Sequence, residues 1–206
     1  MLVTPGEKLE FNYTDLLPRL LFEEQRELIY YWDRIRGRHA MPARAEFDPA
    51  DITRLLPHIG LIDIVEPGPR FRYRLVGTAL GACFSQRLEG RFVTDCKEPD
   101  YATYLASVYR LPYHLRRPVL VQERTSFITG FDRSYSRLLL PLGRDHVTAD
   151  MILYSSMSET DRPRWRGPQE QPVPLVDPRS GSAIAVFAAM PRPVAAHRAA
   201  AGLPAA

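Results

Sequence analysis

The stretch MPARAEFDPADITRLLPHIGLIDIVEPGPRFRYRLVG, residues 41–77, predicts a short helix followed by two strands and the turn between them. Asp48 can accept hydrogen bonds from the first free amides of a helix, and Pro49 has a preset φ and no amide hydrogen to lose there. The apolar run 59–65 then meets the turn-forming residues 66–69, Glu-Pro-Gly-Pro. We therefore expect the helix to end just before the apolar run and a β-hairpin to follow it.

The second strand of this hairpin has one apolar side. Phe71, Tyr73 and Leu75 alternate with Arg72 and Arg74, and successive side chains of a strand point to opposite faces of the sheet. We expect the apolar side to face the helices of the domain.

The composition indicates one well-buried domain with terminal extensions, because the chain has 206 residues of which 45% are hydrophobic and 25% charged. Its 27 basic residues are nearly balanced by 24 acidic ones, whereas nucleic-acid binding requires a clustered basic face. Charge therefore does not favour a nucleic-acid partner.

The cysteines and the first residues indicate a cytoplasmic protein. Cys83 and Cys96 are the only cysteines, and they lack the paired spacing of a metal site, so we expect two reduced thiols and no metal. The first residues do not have the basic and apolar segments of a secretory signal. No run approaches the roughly 20 apolar residues that span a bilayer, so membrane insertion is not expected.

An amphipathic helix is predicted over residues 22–36, because apolar residues recur there at intervals of three and four and Gly37 follows. The apolar side consists of Leu28, Ile29, Trp32 and Ile35. These side chains would be exposed on a monomer, so residues 22–37 are the candidate dimer element. The helix could instead fold back on the outer face of the sheet.

Two more helices and three strands are predicted after the hairpin. The helices are residues 78–85 and 101–110, and the strands are residues 118–128, 133–142 and 147–154. Pro112 should end the second of these helices, because proline has no amide hydrogen to donate.

The composition changes near residue 159 to Pro, Ala and Arg without a sustained period. We predict that residues 159–206 form a disordered tail. The apolar segment SAIAVFAAM, residues 182–190, is the exception. It fits a short helix or strand that docks on the domain or on a partner, and it equally fits a disordered apolar patch.

The order of the elements, two strands, short helices and three strands, is that of the PAS fold, a five-stranded antiparallel sheet with helices across one face. The blocks MPARAEFDPADITRLLPHIGLIDI, RFRYRLVGT, LEGR and RLLLPL resemble those of bacterial single-domain PAS proteins of the PAS class five family. The resemblance covers residues 28–154. It implies an α+β fold in which residues 38–158 are the PAS domain and residues 1–21 are an N-terminal extension.

The resemblance also implies a function, namely that of a cytoplasmic, non-catalytic sensory or adaptor module in bacterial signalling. PAS domains bind varied small molecules between sheet and helices, and many act through dimerisation or docking to signalling proteins such as histidine kinases. A homodimer or a kinase partner is therefore implied, while the family supplies neither a ligand nor a cofactor.

If a ligand cavity lies between sheet and helices, the sequence offers aromatic and apolar side chains for its wall. The candidates are Tyr73, Cys83, Phe84, Phe92, Tyr104, Val108, Tyr109, His114, Leu138 and Leu140. Core packing is the interpretation that close-packed interiors favour for such residues. The tyrosines favour a site more than the others do, because a buried phenol needs a hydrogen-bond partner and can share it with a ligand.

Two of these candidates could also hold a cofactor. His114 follows the predicted helix near where some PAS proteins hold a haem, but no second ligand or haem-attachment motif accompanies it. Cys83 could bond a flavin in a photosensor, but TALGACFSQ lacks the light-sensor cysteine motif. We predict neither cofactor.

Two other classes of function stay open. An enzyme or lipid carrier on a similar α+β sheet would need polar residues that converge in the cavity. The chain has no Gly-x-Ser-x-Gly elbow, phosphate-binding glycine loop or metal-spaced histidine pair, and we predict no catalytic residue. A DNA-associated regulator would use the arginine-rich tail and bind less tightly as salt rises. Arg72, Arg74 and Arg137 form either a cationic patch for an acidic partner or paired surface charges.

Overall fold

The computed structural model of the protein describes residues 11–12, 16–82, 87–95, 99–125, 133–158, 183–188 and 190–191. Two of the pocket candidates, Cys83 and Phe84, lie outside the described residues.

The described residues form two antiparallel sheets, one of six strands and one of two. In chain order the strands are β1 (Phe11–Asn12), β2 (Ile59–Val65), β3 (Arg70–Val76), β4 (Val119–Thr125), β5 (Arg133–Gly143), β6 (Ala149–Ser158), β7 (Ala183–Ala188) and β8 (Met190–Pro191). The large sheet has the order β3-β2-β6-β5-β4-β7, and β1 pairs with β8.

The helices surround this sheet. Within the described residues they are α1 (Glu23–Arg36), α2 (Thr78–Gly81) and α3 (Pro99–Leu115), with 3-10 helices at Leu17–Arg19, Arg44–Glu46, Pro49–His58 and Val93–Asp95. The helix start predicted at Asp48 is confirmed, because Asp48 Oδ1 accepts a hydrogen bond from the Ala50 amide at 2.9 Å. α1 ends at Gly37, as the sequence indicates.

The predicted α+β fold, a five-stranded antiparallel sheet with short helices, is confirmed in β2 to β6. A sixth strand, β7, extends this sheet beyond β4. It comes from the apolar segment for which the sequence left helix, strand and disorder open, so the strand is the alternative observed. The other residues of 159–206 lie outside the described part of the chain, so their disorder stays a prediction.

The two faces of the sheet follow from the strand register, because residues directly opposite each other share a face. Arg137 of β5 lies opposite Val121 of β4 and Ser156 of β6, and its side chain contacts α3. We call the face that meets α3 the inner face. Leu138 and Leu140, its neighbours on β5, therefore point to the opposite, outer face.

Helix α1 covers the outer face. Trp32 Nε1 donates a hydrogen bond to the Pro141 carbonyl at 2.8 Å. The Gln25 side chain donates to the Ser136 carbonyl at 2.9 Å and accepts from the Ser136 hydroxyl at 3.0 Å. These bonds join the buried side of α1 to β5, so the helix belongs to the core of the domain.

The expectation that the apolar side of α1 is exposed on a monomer is wrong. Leu28, Ile29 and Trp32 are at most 1% exposed, and Ile35 packs partly buried against the same core. The helix has folded back on the sheet, which is the other arrangement that the sequence allowed. A dimer role for residues 22–37 stays a prediction, and these four side chains could serve it only if the core opened.

Helix α3 covers the inner face and is longer than predicted. The expectation that Pro112 ends it is wrong, because α3 continues to Leu115. Proline removes one backbone hydrogen bond, but Pro112 is buried and its neighbours Leu111 and Tyr113 pack against the core. Packing of the last turn outweighs the missing bond.

The apolar side of β3 is shorter than the alternation predicts. Phe71 and Tyr73 are buried, but Leu75 is 41% exposed. The register of β2 with β3 shifts between Leu61 and Ile62, and such a bulge changes the direction in which side chains beyond it point. Leu75 lies beyond the shift and so leaves the inner face.

Gly77, which follows β3, is required by the close approach of backbone atoms. Its amide donates to the Ile59 carbonyl at 2.8 Å. A Cβ atom at this position would lie 2.3, 2.5 and 2.7 Å from the carbonyl oxygens of Leu56, Pro57 and Ile59. Backbone oxygens cannot move aside as the end of a side chain can, so a larger residue must separate β3 from the start of β2.

We expect Trp32→Ala to lower the free energy of unfolding by about 3–5 kcal/mol, because it leaves a cavity between α1 and the sheet. Tyr30→Ala is the matched control on the same helix, since Tyr30 is 59% exposed, and it should change stability by about 0.5 kcal/mol or less. Urea denaturation measures both. A similar small loss for both variants would contradict the packing of α1 on the outer face.

Gly77→Ala should destabilise the protein by about 1–3 kcal/mol or more, because the added methyl group has no space. Gly81→Ala is the control, since the nearest atom to its Cβ is Val76 Cγ1 at 3.9 Å. Thermal unfolding followed by circular dichroism compares the two. Equal melting temperatures would show that the contact around Gly77 does not exist.

Candidate functional site

The inner face holds a buried ion pair between β4 and β5. Arg137 is 3% exposed and Glu123 is 0% exposed. Arg137 Nε donates to Glu123 Oε1 at 2.7 Å, and Arg137 Nη2 lies 2.7 Å from the same oxygen. Glu123 lies opposite Tyr135 and is thus the diagonal neighbour of Arg137, a spacing that long side chains can bridge. Burying two charges costs several kcal/mol per ion unless both are well hydrogen-bonded.

Two tyrosines of α3 supply further hydrogen bonds to this pair. Arg137 Nη2 donates to the Tyr101 hydroxyl at 2.7 Å, and the Tyr104 hydroxyl donates to Glu123 Oε2. Residues three apart lie on the same side of a helix, so Tyr101 and Tyr104 reach the pair together. We call Arg137, Glu123, Tyr101 and Tyr104 the ionic network. It joins α3 to the two strands beneath it.

More phenols lie around the network on the inner face. Tyr109 of α3 has its ring centroid 5.8 Å from that of Phe71 and 6.1 Å from that of Tyr154. Gly60 makes room for Tyr154, because a Cβ at residue 60 would lie 2.3 Å from Tyr154 Cε1. Tyr73 is also buried, at 6% exposure. The space between sheet and helix therefore contains the ionic network over β4 and β5 and aromatic side chains over β3 and β6.

Burial controls the protonation of these groups. It raises the pKa of the phenols of Tyr73, Tyr101, Tyr109 and Tyr154, because a buried phenolate would lose its hydration. The tyrosines therefore stay neutral donors near neutral pH. Burial also raises the pKa of Glu123, and the charge and hydrogen bond of Arg137 oppose that rise.

The chemistry of the site is therefore hydrogen bonding and charge pairing. The described residues contain no group of three or more His, Cys, Asp or Glu side chains that could hold a metal ion.

Within the same residues no helix has the length and apolar character needed to cross a membrane.

The antiparallel sheet β2 to β6 with α3 across its inner face has the element order expected of the PAS fold. The family model described as PAS domain, class five, matches residues 22–155. The chain belongs to the PAS domain family. The resemblance to the PAS class five family that the sequence blocks indicate is thereby confirmed. No curated protein and no solved structure matches the chain.

Membership of the PAS family places the protein among signalling and sensory modules. PAS domains are generally non-catalytic, and they often dimerise or dock to signalling proteins.

Four of the predicted pocket residues come together on the inner face. Tyr104, Val108 and Tyr109 lie on α3, and Tyr73 lies on β3 beneath the helix. All four are buried, at 6% exposure or less. Their role as a ligand site stays a prediction.

Leu138 and Leu140 do not join them, and their assignment to this pocket is wrong. Both are buried, but they lie opposite Ser155 and Leu153 on the outer face that α1 covers. β5 is covered on both faces, so its consecutive leucines, Leu138 to Leu140, are buried on both sides. Its composition could not indicate which leucines face the helix α3.

His114 is likewise misassigned, because its side chain is exposed. It follows Tyr109 by five residues, which at 3.6 residues per turn rotates it by about 140° from the buried side of α3. Phe92 is half-buried at the margin of the sheet. It forms a bridge with Arg72, and the Arg70 guanidinium lies 3.9 Å from its ring centroid.

The three arginines suggested as a patch are separated by the fold. Arg72 and Arg74 both contact Asp63, at 3.1 and 3.5 Å, so they are paired surface charges. Arg137 lies in the core instead.

The sequence interpretation missed Glu123 and the central role of Arg137. Glu123 shares its side of β4 with Val119 and Val121, and Arg137 shares its side of β5 with Leu139. A charge on an otherwise apolar side of a strand is a signal of a buried partner. Glu123 is such a charge on β4, and Arg137 is its diagonal neighbour on the same face of β5.

We expect Arg137→Met to cost about 3–5 kcal/mol, because it leaves a buried carboxylate without its cation. The double variant Glu123→Leu/Arg137→Met should be more stable than Arg137→Met, since it removes both charges. Urea denaturation of both single variants and the double variant gives the coupling energy. Additive losses would contradict a direct interaction between the two side chains.

The same variants should differ in their response to pH. Without Arg137, the guanidinium no longer opposes the rise that burial causes in the pKa of Glu123. Above about pH 4.3 the unfolded chain has lost the Glu123 proton that the folded state still holds. The free energy of unfolding therefore falls as pH rises from about 4.3 to the higher pKa of folded Glu123. Arg137→Met should therefore recover stability between pH 8 and pH 5, relative to the double variant. Parallel pH profiles would be inconsistent with a buried Glu123 carboxylate.

Proposed function

We propose that the protein is a non-catalytic sensory or adaptor module of bacterial signalling, located in the cytoplasm, in which the ionic network receives the signal and α3 transmits it. One observation carries the proposal. Helix α3 is bonded to the sheet through Tyr101 and Tyr104, whose partners are the two buried charges. Hydrogen bonds and charges can exchange partners with an incoming molecule, and a molecule that binds one arrangement better shifts the population toward it.

The ligand that suits this site is a small amphipathic molecule. Its polar group would replace a tyrosine as partner of Arg137 or Glu123, and its apolar part would lie against Tyr73, Tyr109 and Val108. A purely apolar molecule would leave the buried charges of Arg137 and Glu123 with fewer hydrogen bonds, which makes their desolvation unfavourable.

The output is a change in the surface that α3 presents. Thr103, Arg110 and His114 are exposed on this helix, so a movement of α3 displaces them together. A second copy of the chain, or a signalling protein such as a histidine kinase, would recognise the two positions of α3 differently. Homodimerisation and kinase docking are proposed on this ground.

Native mass spectrometry of the full chain, purified from its own host, tests the proposal. We expect the chain to retain a small molecule, and the double variant Glu123→Leu/Arg137→Met to lose it while remaining folded. Tyr30→Ala serves as a control that retains the molecule. A wild-type chain without any bound molecule, or equal retention by the double variant, would contradict an input site at the ionic network.

A small-molecule enzyme or carrier is the second candidate, and one observation favours it. Glu123 has a raised pKa and lies beside the Tyr104 hydroxyl, an acid–base combination that active sites use. If the protein is an enzyme, the retained molecule is converted during incubation, and if it is a lipid carrier, the molecule transfers to phosphatidylcholine vesicles. A sensor leaves the molecule unchanged and bound.

A further inference from the structure

The chain segments on either side of the matched residues 22–155 meet at one edge of the sheet. β7 pairs with β4 from Val119↔Ala188 to Arg124↔Ala183. β8, which follows β7, pairs with β1 near the other end of the chain. Gln122 Nε2 of β4 also donates to the Arg19 carbonyl at 3.1 Å. Both terminal segments therefore assemble at β4.

β4 would be an edge strand of the five-stranded PAS sheet without β7. Its Val119, Leu120 and Val121 are 0% exposed, as is Glu123. An edge strand with free amides and carbonyls beside apolar side chains is a template for pairing with another chain. β7 supplies that pairing from within the same chain.

The connection between β6 and β7 does not force this pairing. The strands β6, β5, β4 and β7 are successive neighbours, so the chain must cover three strand spacings, about 14 Å. The 24 residues 159–182 could reach about 80 Å when extended. The backbone ladder with β4 is therefore what places β7 at this edge.

We propose that the β4 edge is a docking site for an extended strand of a partner protein, and that β7 is the chain's own occupant of that site, which the partner displaces. The partner strand would run antiparallel to β4 over six residues, as β7 does. It would carry apolar residues at the alternate positions opposite Val119, Val121 and Glu123, the register positions that Ala188, Val186 and Ile184 occupy in β7. Main-chain hydrogen bonds give affinity in this mode of binding, and the alternate side chains give selectivity.

The pairing already present argues for a partner protein over a second copy of this chain. The β7 strand of a second copy has the same sequence, so it gains no stronger pairing by replacing a β7 that is already paired with β4. A different strand can displace β7 by pairing more strongly with β4. This docking site uses the backbone edge of β4, whereas the proposed ligand site uses the side chains of the ionic network, and Glu123 is the residue at which the two adjoin.

A synthetic peptide of residues 181–192 with a fluorescent label serves as the probe. The variant Ala185→Pro/Val186→Pro should release β7, because alternate amides of a strand point to the same neighbour and proline removes the amide hydrogen. By fluorescence anisotropy we expect the peptide to bind this variant at least ten-fold more tightly than the wild-type chain. Ala199→Pro, which lies outside β7 and β8, is the control and should behave as wild type.

Equal binding to the wild type and the β7 variant, or binding to neither, would overturn the proposal. A doubled mass of the β7 variant in solution would assign the edge to a second copy and overturn the choice of a partner protein.

Hydrogen exchange on the unaltered chain tests the same point without a substitution. Amides of β4 point alternately to β5 and to β7. We expect those directed to β7 to exchange at least ten-fold faster than those directed to β5. Equal protection of the two sets would show that β7 is a fixed strand and would also overturn the proposal.

Discussion

The buried ion pair of Arg137 and Glu123 is the interaction on which the arrangement of this domain depends. Two charges can remain in a protein core only when their hydrogen bonds are satisfied. The sheet supplies the charges from adjacent strands, and α3 supplies Tyr101 and Tyr104 as their further partners. The helix is therefore placed on the inner face by specific bonds in addition to the non-directional packing of Leu105 and Val108. The hydrogen bonds of such a polar core can be exchanged for hydrogen bonds to another molecule.

The outer face follows a different physical rule. There α1 packs Leu28, Ile29 and Trp32 against leucines of the sheet, and single hydrogen bonds from Gln25 and Trp32 to the backbone of β5 fix its position. One face thus forms a mainly apolar, permanent core, while the other contains the ionic network. This asymmetry explains why the candidate site lies beneath α3.

The parts of the fold that depend on neighbouring residues were predictable from sequence, whereas those that depend on pairing between distant strands were not. β2 has the bounds that its apolar run predicts, and Asp48 begins its helix as its residue type indicates. Leu75 was misplaced because a bulge in the ladder with β2 is not visible in local alternation. Leu138 was misplaced because β5 is covered on both faces. Glu123 was missed because its partner lies fourteen residues away on the next strand.

Hydrogen exchange of α3 in Arg137→Met and in wild-type protein measures the central claim most directly. If the ion pair holds the helix on the sheet, the amides of α3 lose protection in the variant while those of β5 and β6 keep most of theirs. Unchanged protection of α3, or an equal loss in helix and sheet, would contradict the view that this pair holds α3 in place.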